Sequence, residues 1–258
     1  MRLNKLLIPL AIAFPMLFVS GVVVASSLDE GKTALNNGDY ATAVELLLPL
    51  SVQGNGDAQY QLGYMYATGK GVQRSQQKEL EWYERAAESG YVAAFSATGR
   101  AYDALASESS INGPTQESEA YYKQAFKWYS KAADAGYASG FSGLASLYRG
   151  GHGVKRNKPL GIAYYTEAAK LGHLASQFIL ATILASDYQS SGNIVDLEQA
   201  YKWFKIHAFY DTENANTYSN DSYIRAKRYR VYKQLSQNQV YKITFEAIGC
   251  VESKFKNC

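Results

Sequence analysis

The 258-residue sequence predicts an all-α protein, an α/α superhelical solenoid of stacked helix pairs. Two short patterns alternate along the chain. Equivalent positions return every 36 residues, and each pattern sets small and apolar side chains at helical spacing and closes on glycine. A single pair of helices this short cannot bury its own apolar face. Successive pairs therefore stack into a right-handed solenoid with a concave inner surface.

The chain opens on Arg2 and Lys5 and then runs uncharged from Leu6 to Val24. Val23-Val24-Ala25 puts small or medium side chains at the two positions a signal peptidase reads, and Ser26-Ser27 follows. Residues 1–25 are expected to be a secretory signal peptide cleaved after Ala25, which implies a periplasmic or secreted protein. An uncleaved membrane anchor is the rival, because 19 mostly apolar positions are enough to span a bilayer. Pro9, Pro15 and the small residues before Ser26 favour cleavage. No cysteine follows the apolar run, so lipid attachment is unsupported.

Residues 26–56 are expected to hold an N-terminal helix pair, with Asn36-Asn37-Gly38-Asp39 as the turn entering the second helix. Residues 57–210 are expected to be the repeats. In the first helix of the first repeat, Ala58, Leu62 and Tyr66 recur at i, i+4 and i+8, a buried stripe. Gly63-Tyr64-Met65-Tyr66-Ala67-Thr68-Gly69-Lys70-Gly71-Val72 returns as Ala145-Ser146-Leu147-Tyr148-Arg149-Gly150-Gly151-His152-Gly153-Val154. Small residues at 63, 99, 145 and 181 let a neighbouring helix approach. The glycines of the turn stop the first helix, because glycine accepts the left-handed geometry past a helix end. The second helix reads Trp82-Tyr83-Glu84-Arg85-Ala86-Ala87, then Trp128-Tyr129-Ser130-Lys131-Ala132-Ala133, then Tyr164-Tyr165-Thr166-Glu167-Ala168-Ala169, with Trp203-Phe204 as a degenerate copy. Gly90, Gly136 and Gly172 end it. Between repeats two and three the spacing grows to 46, and the ten extra residues fall in 105–116, which is rich in Ser, Gly, Asn and Pro and reads as an extended loop. Residues 211–258 are expected to close the stack with two capping helices.

The small-x-x-x-Leu-Gly-x-x-Tyr helix, the Gly-x-Gly-Val turn and the Trp-Tyr-x-x-Ala-Ala-x-x-Gly helix resemble the Sel-one-like repeat family, a relative of the tetratricopeptide repeat. Repeats one and three match it best. Repeat two has lost the turn to its insertion, and repeat four lacks both turn glycines and carries Leu184 in the tyrosine slot. The resemblance implies a non-catalytic scaffold that binds another protein. Exported relatives include regulators of membrane sensors, host-interaction factors and immunity proteins that neutralise secreted effectors. In tetratricopeptide solenoids the first helix of each pair lines the concave face. That register points Tyr60, Tyr64, Arg100, Asp103, Ser142, Ser146, Arg149 and Phe178 at a partner. Tyr, Arg and Phe suit such a surface. Cys250 and Cys258 have a spacing similar to that in cysteine-rich members of the family. A continuous helix would hold their α-carbons ~12 Å apart, so a disulfide needs a bend between them; two free thiols is the alternative.

Composition narrows the chemistry. Hydrophobic residues are 47% and charged residues 19%, enough apolar material for a core and incompatible with whole-chain disorder. The 22 tyrosines suit half-buried and binding surfaces. Net charge is +3, and without Arg2 and Lys5 the balance is 24 basic against 23 acidic side chains, too even for a nucleic-acid binder. His152, His173 and His207 lack metal-ligand spacing, so neither a metal nor a cofactor is expected, nor a small-molecule substrate. Ser75-Gln76-Gln77-Lys78 fits the Ser-x-x-Lys of penicillin-interacting serine enzymes, the alternative function. Their Ser-Asp-Asn and Lys-Thr-Gly partner motifs are absent, and Ser75 sits where an N-cap is required. Arg225, Lys227, Arg228, Arg230 and Lys233 wrap most of one helix. They read as a solvated face or as a dock for an acidic partner or membrane.

Overall fold

The computed structural model describes residues 21–213, 222–256 and Cys258. Within them the chain forms twelve α-helices and no strand. Residues 1–20 of the expected leader lie outside the described residues, and 21–25 form the start of α1 (Gly21–Asn37). No described helix is long and apolar enough to cross a membrane.

The helices pack in sequential pairs. α1 pairs with α2 (Tyr40–Val52), α3 (Gly56–Thr68) with α4 (Gln76–Glu88), α5 (Val92–Ser109) with α6 (Gln116–Asp134), α7 (Ala138–Gly150) with α8 (Lys158–Lys170), and α9 (Leu174–Ser191) with α10 (Ile194–Glu213). Each pair also packs on the next, and α5 reaches past its neighbour to touch α7. α11 (Ser222–Tyr232) and α12 (Gln237–Glu252) close the chain, with α12 docked on α10.

Local chemistry sets the boundaries. Asp39, Asn55 and Asn157 each accept a backbone N–H of the following helix, and Thr115 and Ser236 build reciprocal capping boxes with Ser118 and Gln239. Gly69 and Gly151 take left-handed backbone (φ 73° and 79°) and end α3 and α7 after 13 residues each. Repeats two and four lack that glycine at the turn position, and their first helices run on to 18 residues, α5 ending at its C-cap Ser110 and α9 at a later left-handed glycine, Gly192 (φ 70°).

This corrects the expected 105–116 loop. Residues 105–109 continue α5, with Ala106 fully buried, α6 begins at Gln116, and only 110–115 connect them. Helix propagates until something terminates it, and repeat two has no glycine at the turn position.

The core runs along the stack as linked clusters. Its recurring unit is a small residue on the first helix beneath a tyrosine ring on the second. A β-carbon at Gly63 would lie 2.7 Å from the Tyr83 ring, and one at Gly99 would lie 2.7 Å from the Tyr129 ring. Ala145 and Ala181 continue the small series, and Tyr165 and Tyr201 continue the aromatic one in a shared cluster. Tyr201, 36 residues after Tyr165, is therefore the counterpart of Tyr83, and the degenerate copy starts at Ala200-Tyr201 instead of Trp203-Phe204. Trp82 and Trp128 are buried beside this series. Tyr66, expected in the buried stripe, is half-buried with the Lys78 ammonium 5.1 Å from its ring centre.

Cys250 and Cys258 form a disulfide, with α-carbons 4.9 Å apart. The bend it requires comes where α12 ends: Lys254 and Phe255 adopt positive φ (50° and 67°) and turn the chain back.

Candidate partner-binding groove

The first helices α3, α5, α7 and α9 border a groove of about 490 Å³. On α5, Ser96, Arg100 and Asp103 stand at i, i+4 and i+7, one side of the helix. On α7, Ser139, Ser142 and Ser146 stand at i, i+3 and i+7, also one side of the helix, with Gly143 between the last two. Tyr60 comes from α3, and Ile179 and the N-cap residue His173 come from the α9 end. The second helices contribute two tyrosines, Tyr129 and Tyr165, whose rings are almost wholly buried.

The Tyr129 ring reaches the groove because glycine clears the way, whereas Tyr165 packs with Ala145 and Ala181. Tyr129 lies between Gly99 of α5 and Gly143 of α7, and a β-carbon at either position would collide with the ring. The absence of side chains there brings the groove helices close to the second layer and lets a second-layer phenol join the lining.

Arg100 is the electrostatic centre. Burial pushes the Tyr83 and Tyr129 hydroxyls well above the usual phenol range, and the Arg100 cation opposes the shift at both. Glu79 is likewise raised by burial and lowered by Arg100 and Arg74. Asp103 carries the groove's negative charge; burial raises its carboxyl, with His152 opposing. Burial lowers the His173 imidazole, which sits within hydrogen-bond distance of Ser176 (Nδ1 to Oγ, 2.8 Å). At the far edge Tyr60 packs at 5.4 Å from both Tyr83 and Tyr91. Burial and the neighbouring Asp57 push the Tyr91 hydroxyl up to about 12.

Five of the eight residues expected on the inner face meet here: Tyr60, Arg100, Asp103, Ser142 and Ser146. Tyr64 does not line it and is engaged elsewhere, its hydroxyl accepting a 2.8 Å bond from Lys70 Nζ. Arg149 lays its guanidinium 5.8 Å from the Tyr165 ring centre. Phe178 packs instead at 5.9 Å from both Phe204 and His207, and its neighbour Ile179 takes the groove position. One residue along a helix is a rotation of ~100°, so the rotation of α9 about its own axis decides which of the two enters.

Sequence reasoning missed Tyr129 and Tyr165 because their slot satisfied the packing pattern. The available signal was the hydroxyl itself: positions 83, 129, 165 and 201 are all Tyr and never Phe, although the ring is buried each time.

The groove offers serine and tyrosine hydroxyls, one cation and one carboxylate, a surface suited to polar recognition. Among the described residues no group of three or more His, Cys, Asp or Glu side chains could hold a metal ion. Ser75 and Lys78 are occupied otherwise. The Ser75 hydroxyl accepts the Lys78 backbone N–H at the start of α4, while the Lys78 ammonium lies over Tyr66. Of the basic helix, Lys227 and Arg230 border a separate cavity of about 280 Å³ with Thr182 and Gln189 of α9; the side chain of Arg225 lies outside the described residues.

The Sel1 repeat profile matches residues 56–91, 121–137, 142–173 and 175–206. Among solved structures, a protective antigen present in uropathogenic Escherichia coli strains, displaying an SLR fold, superposes with a TM-score of 0.69 at 26% identity over 88% of this chain. The chain spans 45% of that antigen's length. A Sel1 repeat protein from Oxalobacter formigenes superposes with a TM-score of 0.55 at 22% identity over 88% of each chain. No curated protein sequence matches the chain.

Proposed function

Because the chain carries Sel1 repeats in four segments of an α-solenoid, we propose that it is a non-catalytic scaffold that grips a segment of another protein in the groove along α3, α5, α7 and α9. The observation that carries this reading is the groove's make-up. Arg100, Asp103, Ser142 and Ser146 project from a fold that needs none of them for its core, and they lie beside two buried-ring phenols. Hydroxyls and a cation–carboxylate pair suit a polypeptide backbone and its polar side chains better than an apolar ligand.

In this reading the partner is an envelope or secreted protein that the scaffold restrains, as a regulator or an immunity protein would. Export rests on the basic start at Arg2 and Lys5, the apolar stretch to Val24 and the Val-x-Ala site. N-terminal sequencing of envelope-localised protein should begin at Ser26; an intact Met1 on membrane-embedded protein would establish an anchor instead.

The groove is tested with a partner captured from the cell envelope and identified by mass spectrometry. An Arg100→Ala variant that keeps its helical circular dichroism should lose roughly thirtyfold in affinity, the scale of one true anchor. Undiminished affinity in a folded Arg100→Ala, Ser146→Ala double variant would move the partner off this face.

A further inference from the structure

The terminal helix carries a surface that neither the core nor the groove uses. One side of α12 buries Ile243, Ala247 and Cys250 against the body of the solenoid. The other presents Tyr241 at 80% exposure and Phe245 at 75%, four residues apart on one face. Four residues further on, at i+8 from Tyr241, stands Gly249, exposed in the interior of the helix. A β-carbon there would meet nothing within 4 Å. Glycine inside a helix destabilises it relative to alanine. No internal packing, positive φ or turn explains it here. The last helix of a solenoid ordinarily turns a polar face outward. This one instead turns out two aromatic rings and a strip of bare backbone.

We propose that this face is the self-association surface of the protein, and that its occupant is α12 of a second copy, packed antiparallel about a two-fold axis at Phe245. The large–medium–small order of the stripe is what selects the occupant. In an antiparallel pair centred on Phe245, the residue four before the axis lies level with the residue four after it in the other copy. Tyr241 of each copy therefore enters the hole edged by Phe245, Ile248, Gly249 and Glu252 of the other, and the missing side chain at Gly249 gives the ring its depth. The two Phe245 rings meet at the axis. The rim matches in charge: Lys242 of one copy comes alongside the part-exposed Glu246 of the other, whose carboxylate lies 3.9 Å from its own Lys202, twice by symmetry. A parallel pair would set Tyr241 against Tyr241 and leave the two glycines facing across a gap. The four aromatic side chains bury on the order of 600 Å² between them at ~150 Å² each. That is about half of the ~1,200 Å² at the lower bound of stable specific interfaces, the scale of a weak contact. A weak, reversible dimer is expected, with both grooves left open.

Sedimentation velocity on the protein as isolated from its cells, across low- to high-micromolar concentrations, reads the mass directly. The wild type should shift from monomer to dimer over that range. Phe245→Asp and Gly249→Leu, both at exposed positions, should keep the wild-type circular dichroism and stay monomeric, with the Gly249→Leu melting midpoint at or above that of the wild type because it removes a helix glycine. An anchor worth about thirtyfold acts twice across a two-fold interface, so self-association should weaken about a thousandfold. Cysteine cross-linking fixes the register. Glu246→Cys, one residue from the axis and outside the apolar stripe, keeps both Phe245 rings and should link copy to copy under mild oxidation. Asn238→Cys should not, because an antiparallel pair holds its two copies ~21 Å apart along the axis. A wild type that stays monomeric throughout overturns the proposal, as does a dimer that survives both variants. Links at both cysteine positions would overturn the antiparallel register. A monomer that floats with anionic phospholipid vesicles only when Phe245 is intact would overturn the second copy in favour of a membrane.

Discussion

Asp103 shows how a single residue serves the groove at the expense of the fold. Burial raises its carboxyl above the ordinary value of 3.8, with the His152 charge only partly opposing. A carboxyl raised in the folded state binds protons more tightly there than in the unfolded chain. Its contribution to stability is therefore fully present below about 3.8 and is lost as pH rises through the folded value. At neutral pH Asp103 is a burden on the free protein. Asp103→Asn, which removes the charge and keeps the shape, should raise the thermal midpoint at pH 7, and the gain should shrink as the pH falls toward 3.8. Paired melts at the two pH values check it. The same substitution should weaken the partner's binding, since a strained charge in a cleft is the pattern of a functional residue. His173 acts in the opposite pH sense to a raised histidine. Burial lowers its imidazole, so its contribution is intact above about 6.5 and falls away as the pH drops through the lowered folded value.

At the scale of the helix, one pattern accounts for both the regular and the irregular repeats. Where the left-handed glycine stands at the repeat's turn position the first helix has 13 residues; where it is missing there the helix runs to 18, ending at its C-cap Ser110 in α5 and on a later left-handed glycine, Gly192, in α9. The second helix is anchored by its aromatic pair. Trp82 is 8% exposed, with the Arg85 guanidinium 4.8 Å over its ring, and Tyr83 beside it is 1% exposed. Trp82→Ala should cost about 3–5 kcal/mol by chemical denaturation, the range for a large side chain deleted from a packed site. A shift within half a kcal/mol would mean that α4 is not registered on α3 as described. Ser75→Ala should lose about 0.5–2 kcal/mol of stability, the worth of an N-cap, with no change in binding.

Across the whole molecule, stability is a sum of neighbouring contacts, so damage at one end should stay there. Beyond the packing of Ile243, Ala247 and Cys250, several contacts hold the end of the chain. The Cys250–Cys258 disulfide turns the tail back, the buried Lys202 ammonium reaches the Cys258 carbonyl at 3.4 Å, and Phe255 lies against Gly172 at the α8–α9 turn. Breaking the bridge with Cys258→Ala should cost about 2–3 kcal/mol, the loop-closure value for so short a ring. Amide exchange should speed up in α12 and the adjoining part of α10 while α3 to α6 keep wild-type protection; uniform acceleration would show that the stack unfolds as one body. The repeat period, the helix pairing, the glycine stops, the Ser75 cap and five of the groove residues were legible in the sequence alone. Each depends on backbone geometry or spacing that recurs within about 40 residues. The tertiary structure alone decided that Ile179 and not Phe178 enters the groove, that residues 105–109 are helix, and that Tyr129 and Tyr165 reach the inner face. It also decided that α12 leaves an aromatic stripe uncovered. These depend on how far each helix is rotated and how closely it approaches its neighbour. Both are set by side chains distant in sequence meeting across the stack, which a periodic pattern specifies only to within a residue or so.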